Sequence, residues 1–292
     1  MEFIRRRIEQ QIFGLTGLAL NNIDYEHPRG DPGLFGPGSL CWRIHSDFPS
    51  MLCGGISALI LQMMHPLALA GVWDHSNFRE DMLGRLRRTS QFIAATTFAS
   101  TADAQRLNER VRAIHTTVVG VAPDGRPYSA EDPELLTWVH VAEVRSFLAA
   151  YMRYRDPFLS ETDQNRYLDE VARVAEALGA EEVPRTRHQV DAYIERMRPS
   201  LLYDERTSEV LSLVLSAPAP GRMADLARSL MSKAAVDLLP DWVRRMSGLE
   251  QSAIQRAAAR SGMHALARTL RWSIRNGASN RALRRVRNTP SA

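Results

Sequence analysis

Cysteine is nearly absent: Cys41 and Cys53 are the only two in 292 residues. Two thiols cannot staple a chain of this size, and no paired-cysteine spacing of a zinc site occurs. Both are expected to be reduced and buried, as in a reducing compartment. Lysine is scarcer still. Lys233 stands alone among 37 basic residues, so positive charge is carried by arginine, which suits paired and anion-binding roles better. Long apolar runs are missing too; Ile56 to Leu61 and Val210 to Leu215 fall well short of the roughly 20 residues of a spanning helix. The opening segment MEFIRRRIEQ is charged and lacks the apolar core of a signal peptide, so a cytoplasmic location is expected. There is no P-loop, dinucleotide fingerprint, His-Glu-x-x-His helix or Gly-x-Ser-x-Gly elbow. No sustained period-two alternation argues for a large sheet, and neither repeats nor heptads occur.

What remains is an all-α pattern with 45% apolar residues, enough for one substantial core or two small ones. Residues 1–20 read as an amphipathic helix, and residues 21–40 as a loop dense in glycine and proline. Pro49 to His65 reads as a helix buried on nearly all sides, with Gly54, Gly55, Ser57 and Ala58 allowing close approach of a neighbour. Helices are expected over 81–98 and 101–118, then a turn or hairpin at 119–127. Asp132-Pro133-Glu134 opens a helix toward Tyr154. Ser160 and Thr186 open two more, and others are expected over 209–215, 221–239 and 241–272. The expected division is an N-terminal helix and wrapping loop (1–48), a helical catalytic-type domain (49–272) and a basic C-terminal segment (273–292). Arg268, Arg271, Arg275, Arg281, Arg284, Arg285 and Arg287 lie at that end without an acid among them. Such a cluster either solubilises the terminus or touches an anionic surface. No nucleic-acid partner is expected.

The candidates for chemistry are histidines in apolar surroundings: His65, His75, His115 and His140. Leu107, Val111, His115 and Val118 share a helical stripe, where an imidazole can be an axial ligand to haem iron or a satisfied core group. His140, near Trp138 and Val144, carries the same two readings. A shared metal site of His65, His75 and His140 is a further, weaker alternative. Arg85, Arg88 and Thr89 lie at i, i+3 and i+4 on one face, able to bind a cofactor carboxylate or to pair with Glu80 and Asp81 on a solvated face. Asp74-His75-Ser76-Asn77 reads as a helix cap. Ile56, Met63 and Met64 are candidate apolar walls.

The run Gly54-Gly55-x-x-Ala58-Leu59-x-Leu61-Gln62-x-x-His65-Pro66-Leu67-Ala68-x-Ala70-Gly71-Val72 resembles the opening signature of an oxygenase family. Its members include the fungal mycophenolic-acid pathway oxygenase and the catalytic domain of latex clearing protein, the rubber oxygenase. The likeness continues through His75-Ser76-x-Phe78-Arg79, Arg85-Leu86-x-Arg88-Thr89, Ile114-His115, Pro123-Asp124-Gly125-Arg126-Pro127-Tyr128 and Asp132-Pro133-x-Leu135-Leu136-x-Trp138-Val139-His140, and covers roughly residues 50–200. The resemblance implies a single helical domain of the rubber oxygenase type holding haem b. His115 would be the iron ligand, with Arg85 and His140 beside the cofactor. Arg85, Arg88, Thr89 and His65 would be the catalytic residues. Arg88 stands where the rubber-cleaving relatives carry a lysine; it is bulkier and stays protonated. His65 is the ionisable group nearest the position of their acidic base. Dioxygen and an apolar, isoprenoid- or lipid-like molecule would be the substrates; the other reading is a non-catalytic helical lipid-binding or interaction protein.

Overall fold

Cap chemistry and apolar spacing set the element order in the computed structural model, which describes residues 2–16, 22–217 and 221–287. The expected end of the first helix at 17–20, Pro218 and Pro220, and positions 288–292 of the basic segment lie outside these residues. The architecture is all-α, with one two-stranded hairpin. Helix α1 (Glu2–Thr16) is followed by the glycine-rich loop and the short α2 (Leu40–His45). Next come α3 (Phe48–Gln62) and α4 (Pro66–His75), which meet at 104°. The helix end expected near His65 falls at Gln62, and the chain restarts at Pro66, whose missing N–H and fixed φ suit the first helical position.

Asp81 caps α5 (Met82–Phe98) by accepting from the Gly84 N–H at 2.7 Å, and Ser100 caps α6 (Thr101–His115). The expected hairpin is β1 (Val119–Val121) paired antiparallel with β2 (Pro127–Ser129), Val119 opposite Ser129. Asp132 and Pro133 open α7 (Pro133–Tyr154) as their chemistry predicts. Ser160 opens α8 (Glu161–Leu178), which ends at Gly179 with φ 108°. Thr186 and Gln189 form a capping box at the start of α9 (Arg187–Met197), ahead of α10 (Glu205–Leu215) and α11 (Arg222–Leu238). The helix expected over 241–272 is two, α12 (Asp241–Met246) and α13 (Ala253–Ser273). Gly248 at φ 67° leaves the first, and a Ser252–Gln255 capping box starts the second. Helix α14 (Ala278–Arg287) closes the described chain.

The centre of the fold is the antiparallel pair α3 and α7. Gln62 Nε2 donates to the Val139 carbonyl and Trp138 Nε1 to the Gln62 carbonyl, both at 3.1 Å. At the other end Gly54 lies against Ser146 and Phe147, where a Cβ would come within 2.9 Å of the Ser146 carbonyl oxygen. Helices α11 and α13 pack on α3, α8 packs on α7, and Ile60, Leu61, Met64, Trp138, Val141 and Leu168 are fully buried between them. Cys41 and Cys53 are free thiols in the interior. The glycine-rich loop lies over the junction of α5 and α6, where Asp31 accepts from the Thr101 N–H and hydroxyl. Among the described residues no single helix is long and apolar enough to cross a membrane.

Candidate functional site

Where α3 and α7 diverge from α1, α5, α11 and α13 they leave a cavity of about 1170 Å³. That exceeds the roughly 300–1,000 Å³ of most small-molecule sites. Its wall is mostly aliphatic and aromatic: α3 contributes Ile56 and Leu59, α5 contributes Leu83, Leu86 and Ile93, and α7 contributes Phe147. Of the predicted apolar walls Ile56 is in place. Met63 and Met64 are buried in the core and are not among the lining residues.

Among the described residues three carboxylates line this cavity, and two are already paired. Asp47 receives Arg271 at 2.7 and 2.8 Å, and Asp156 receives Arg43 at 2.7 Å. The third, Glu143, has no hydrogen-bond or ion-pair partner among the described residues, and burial pushes its carboxyl up to about 7. It shares an α7 stripe with Phe147 and Tyr151, four and eight residues on. Gln62 lines the cavity one turn of α7 away; its amide nitrogen donates to Val139, and its side-chain oxygen has no partner among the described residues. His45, the last residue of α2, also lines it. The His45 ring is held at both nitrogens, by the Thr97 hydroxyl at 2.8 Å and the Tyr167 hydroxyl at 2.9 Å. Burial pulls it down to about 3, so it is a neutral imidazole in a fixed orientation.

Of the residues predicted from sequence, Thr89 lines the cavity; Arg85, Arg88, His65, His115 and His140 are not among its lining residues. Arg85 is half-buried on the flank of α5 and donates to the Ser76 hydroxyl at 2.9 Å. It has no carboxylate partner among the described residues, and burial, then the nearby Arg88 charge, pulls it down to about 10. Arg88 is exposed and lies 3.7 Å from Asp81. His115 ends α6, half-buried, with its Nδ1 buried and unpartnered; burial lowers its basicity against the opposing pull of Glu131. His65 immediately precedes α4, its ring 6.1 Å from that of Trp138, and His140 lies inside α7. Each has one buried ring nitrogen without a partner, and burial pulls each down to about 4.

His75 Nε2 donates to the Val119 carbonyl at 3.1 Å and lies 3.2 Å from the Tyr128 hydroxyl, which itself donates to Asp74 at 2.6 Å, so the polar segment expected to cap a helix ties α4 to the hairpin. Among the described residues no three His, Cys, Asp or Glu side chains gather into a metal site, so His65, His75 and His140 do not form one ligand set.

Glu143, Gln62 and His45 were not singled out from the sequence. The signal for Glu143 was present: an acid in an apolar helical stripe between Leu136, His140 and Phe147. His45 carries no such pattern, because its partners come from α5 and α8.

No curated protein and no solved structure matches the chain. Residues 42–272 match the family described as ER-bound oxygenase mpaB/B'/Rubber oxygenase, catalytic domain, a span that includes α3 through α13 and most of the cavity wall. The chain therefore belongs to this oxygenase catalytic-domain family.

Proposed function

We propose that the chain is a haem b-dependent oxygenase acting on an apolar, isoprenoid- or lipid-like molecule held in the cavity. The observation that carries this reading is the cavity itself, a mostly aliphatic chamber of about 1170 Å³ in a chain of an oxygenase family. Such a wall binds by burying apolar surface and keeps water away from reactive species. Two features suit a haem. His115 offers a buried ring nitrogen without a partner, on an imidazole held in the neutral form that ligates iron. Arg85 is a guanidinium that burial has deprived of water and no carboxylate has paired, which suits a propionate.

His115 would hold the iron, with Arg85 and His140 beside the cofactor, and bound haem supplies dioxygen activation. The chain's own residues do the rest. Ile56, Leu59 and Phe147 seat the apolar substrate, and the Thr89 hydroxyl orients polar groups at the wall. At about 10, Arg85 remains charged at neutral pH and stabilises negative charge developing near it. Helix α6, which carries His115, packs directly on α5, which carries Arg85 and Thr89.

One observation favours a non-catalytic lipid-binding protein instead: His115 stands outside the cavity wall. The visible spectrum of protein reconstituted with haem b separates the two. A Soret band that is lost in His115→Ala supports the oxygenase reading, and full haem occupancy in that variant removes His115 as the ligand. If the wild-type chain takes up no haem, the lipid-binding reading stands.

A further inference from the structure

Among the described residues of the chamber wall, Glu143 is the one carboxyl without a partner, and a neighbouring side-chain oxygen also accepts no hydrogen bond. Because Gln62 meets Val139 and Gly54 meets Phe147, the antiparallel pair α3 and α7 places Gln62 one helical turn from Glu143. Both side chains line the same cavity, and among the described residues neither the Glu143 carboxyl nor the Gln62 side-chain oxygen has a donor. The other two acids of the wall, Asp47 and Asp156, are neutralised by Arg271 and Arg43.

We propose that Glu143 and Gln62 form a head-group subsite, and that the ligand of this chamber is an elongated apolar molecule ending in a protonated amine. An ammonium brings three donors and a positive charge, enough to serve both carboxylate oxygens and the Gln62 Oε1. A buried carboxylate with no partner is costly, and a ligand cation removes that cost where a neutral hydroxyl, with one donor, leaves an acceptor unserved. Burial raises the Glu143 carboxyl; an adjacent ammonium favours its ionised form. A carboxylate-headed chain meets repulsion at Glu143 and, among the described residues of the wall, finds an unpaired cation only in the exposed Arg155.

The inference rests on reading the cavity as a substrate chamber, and its test needs neither haem nor turnover, so failure of the oxygenase reading and failure of this one are separate results. Dodecylamine, dodecanol and dodecanoate are titrated into the full chain at pH 7.5, below their aggregation limits, with calorimetry as the readout. The amine is expected to bind about tenfold tighter than the alcohol, as for a hydrogen-bonded charge pair, and dodecanoate weakest. Glu143→Gln should weaken the amine by about tenfold and leave the alcohol within about twofold. Gln62→Leu should weaken the amine less than Glu143→Gln does. Equal binding of amine and alcohol overturns the proposal. So do tighter binding of dodecanoate, no binding of any of the three, or a Glu143→Gln variant that keeps its amine affinity.

Discussion

Arg285 shows how far a residue's charge is from declaring its job. In sequence it is one of seven arginines with no acid among them; in the fold it is almost fully buried, 1% exposed. Its guanidinium donates to the carbonyls of Asp31 at 2.8 Å, Tyr25 at 3.1 Å and Ala99 at 3.1 Å, joining the N-terminal loop, the end of α5 and α14. Arg284 pairs with Glu26 and Arg271 with Asp47, so part of the basic cluster is internal structure. Arg285→Ala strands carbonyls that water cannot easily reach, and is expected to lower stability by about 3 kcal/mol in urea unfolding. Arg285→Lys should recover little of it, because one ammonium cannot reproduce the planar fork. A loss below about 0.5 kcal/mol, the size of a surface change, would show that the guanidinium is not holding these segments. None of this was legible in the sequence. The partners of Arg285 lie some 186 to 260 positions away, and burial is decided by how those segments dock. Glu143 was more accessible to inspection, since an acid on an apolar helix stripe is visible in one short window.

At the scale of elements the sequence was most informative where local chemistry decides. Caps at Ser100, Asp132, Ser160 and Thr186 start helices where predicted, and the small residues of α3 mark a close approach. The end of α3 expected near His65, ahead of Pro66, falls three residues earlier at Gln62, because Met63 and Met64 turn inside the core; helix α4 itself had no expected counterpart. Two neighbouring glycines of α3 can be told apart only in the packed structure. A Cβ at Gly54 would meet the Ser146 carbonyl oxygen at 2.9 Å and Phe147 at 3.0 Å; at Gly55 the nearest atom is 3.9 Å away. Gly54→Ala must push α3 from α7 and should destabilise by about 1–3 kcal/mol, the usual cost of overpacking. Gly55→Ala gains helix propensity at no steric cost and should be neutral or stabilising by up to about 1 kcal/mol. Equal midpoints for the two variants in urea unfolding would mean that the helices have room at Gly54.

At the scale of the whole molecule, the chamber exists because distant helices converge, and its charge state couples to global stability. His45, His65 and His140 are pulled down by burial to about 3, 4 and 4, from 6.5. Between about pH 4 and 6.5 the unfolded chain therefore binds protons that the folded chain refuses, so stability rises with pH across that window and is complete above it. Glu143 has the opposite sign. Raised from 4.5 to about 7, it keeps a proton in the folded state that the unfolded chain has released, so its contribution is present below pH 4.5 and is lost as pH rises through 7. Three histidines outweigh one carboxyl, and the melting temperature of the wild-type chain should climb from pH 4 to 6.5. In Glu143→Gln the opposing group is gone. The variant should track the wild type at pH 4, pull ahead of it between pH 4.5 and 7, and hold a constant lead above pH 7. A lead of a few degrees is the expected scale, since ~1 kcal/mol shifts the midpoint of a chain of this size by roughly 2–4 °C. Scanning calorimetry across pH 4 to 8.5 reads this directly. Parallel curves at every pH would place Glu143 in contact with bulk water and close the case against an enclosed carboxyl; a gap that opens in that window and nowhere else identifies the group, because the buried histidines bend both curves alike.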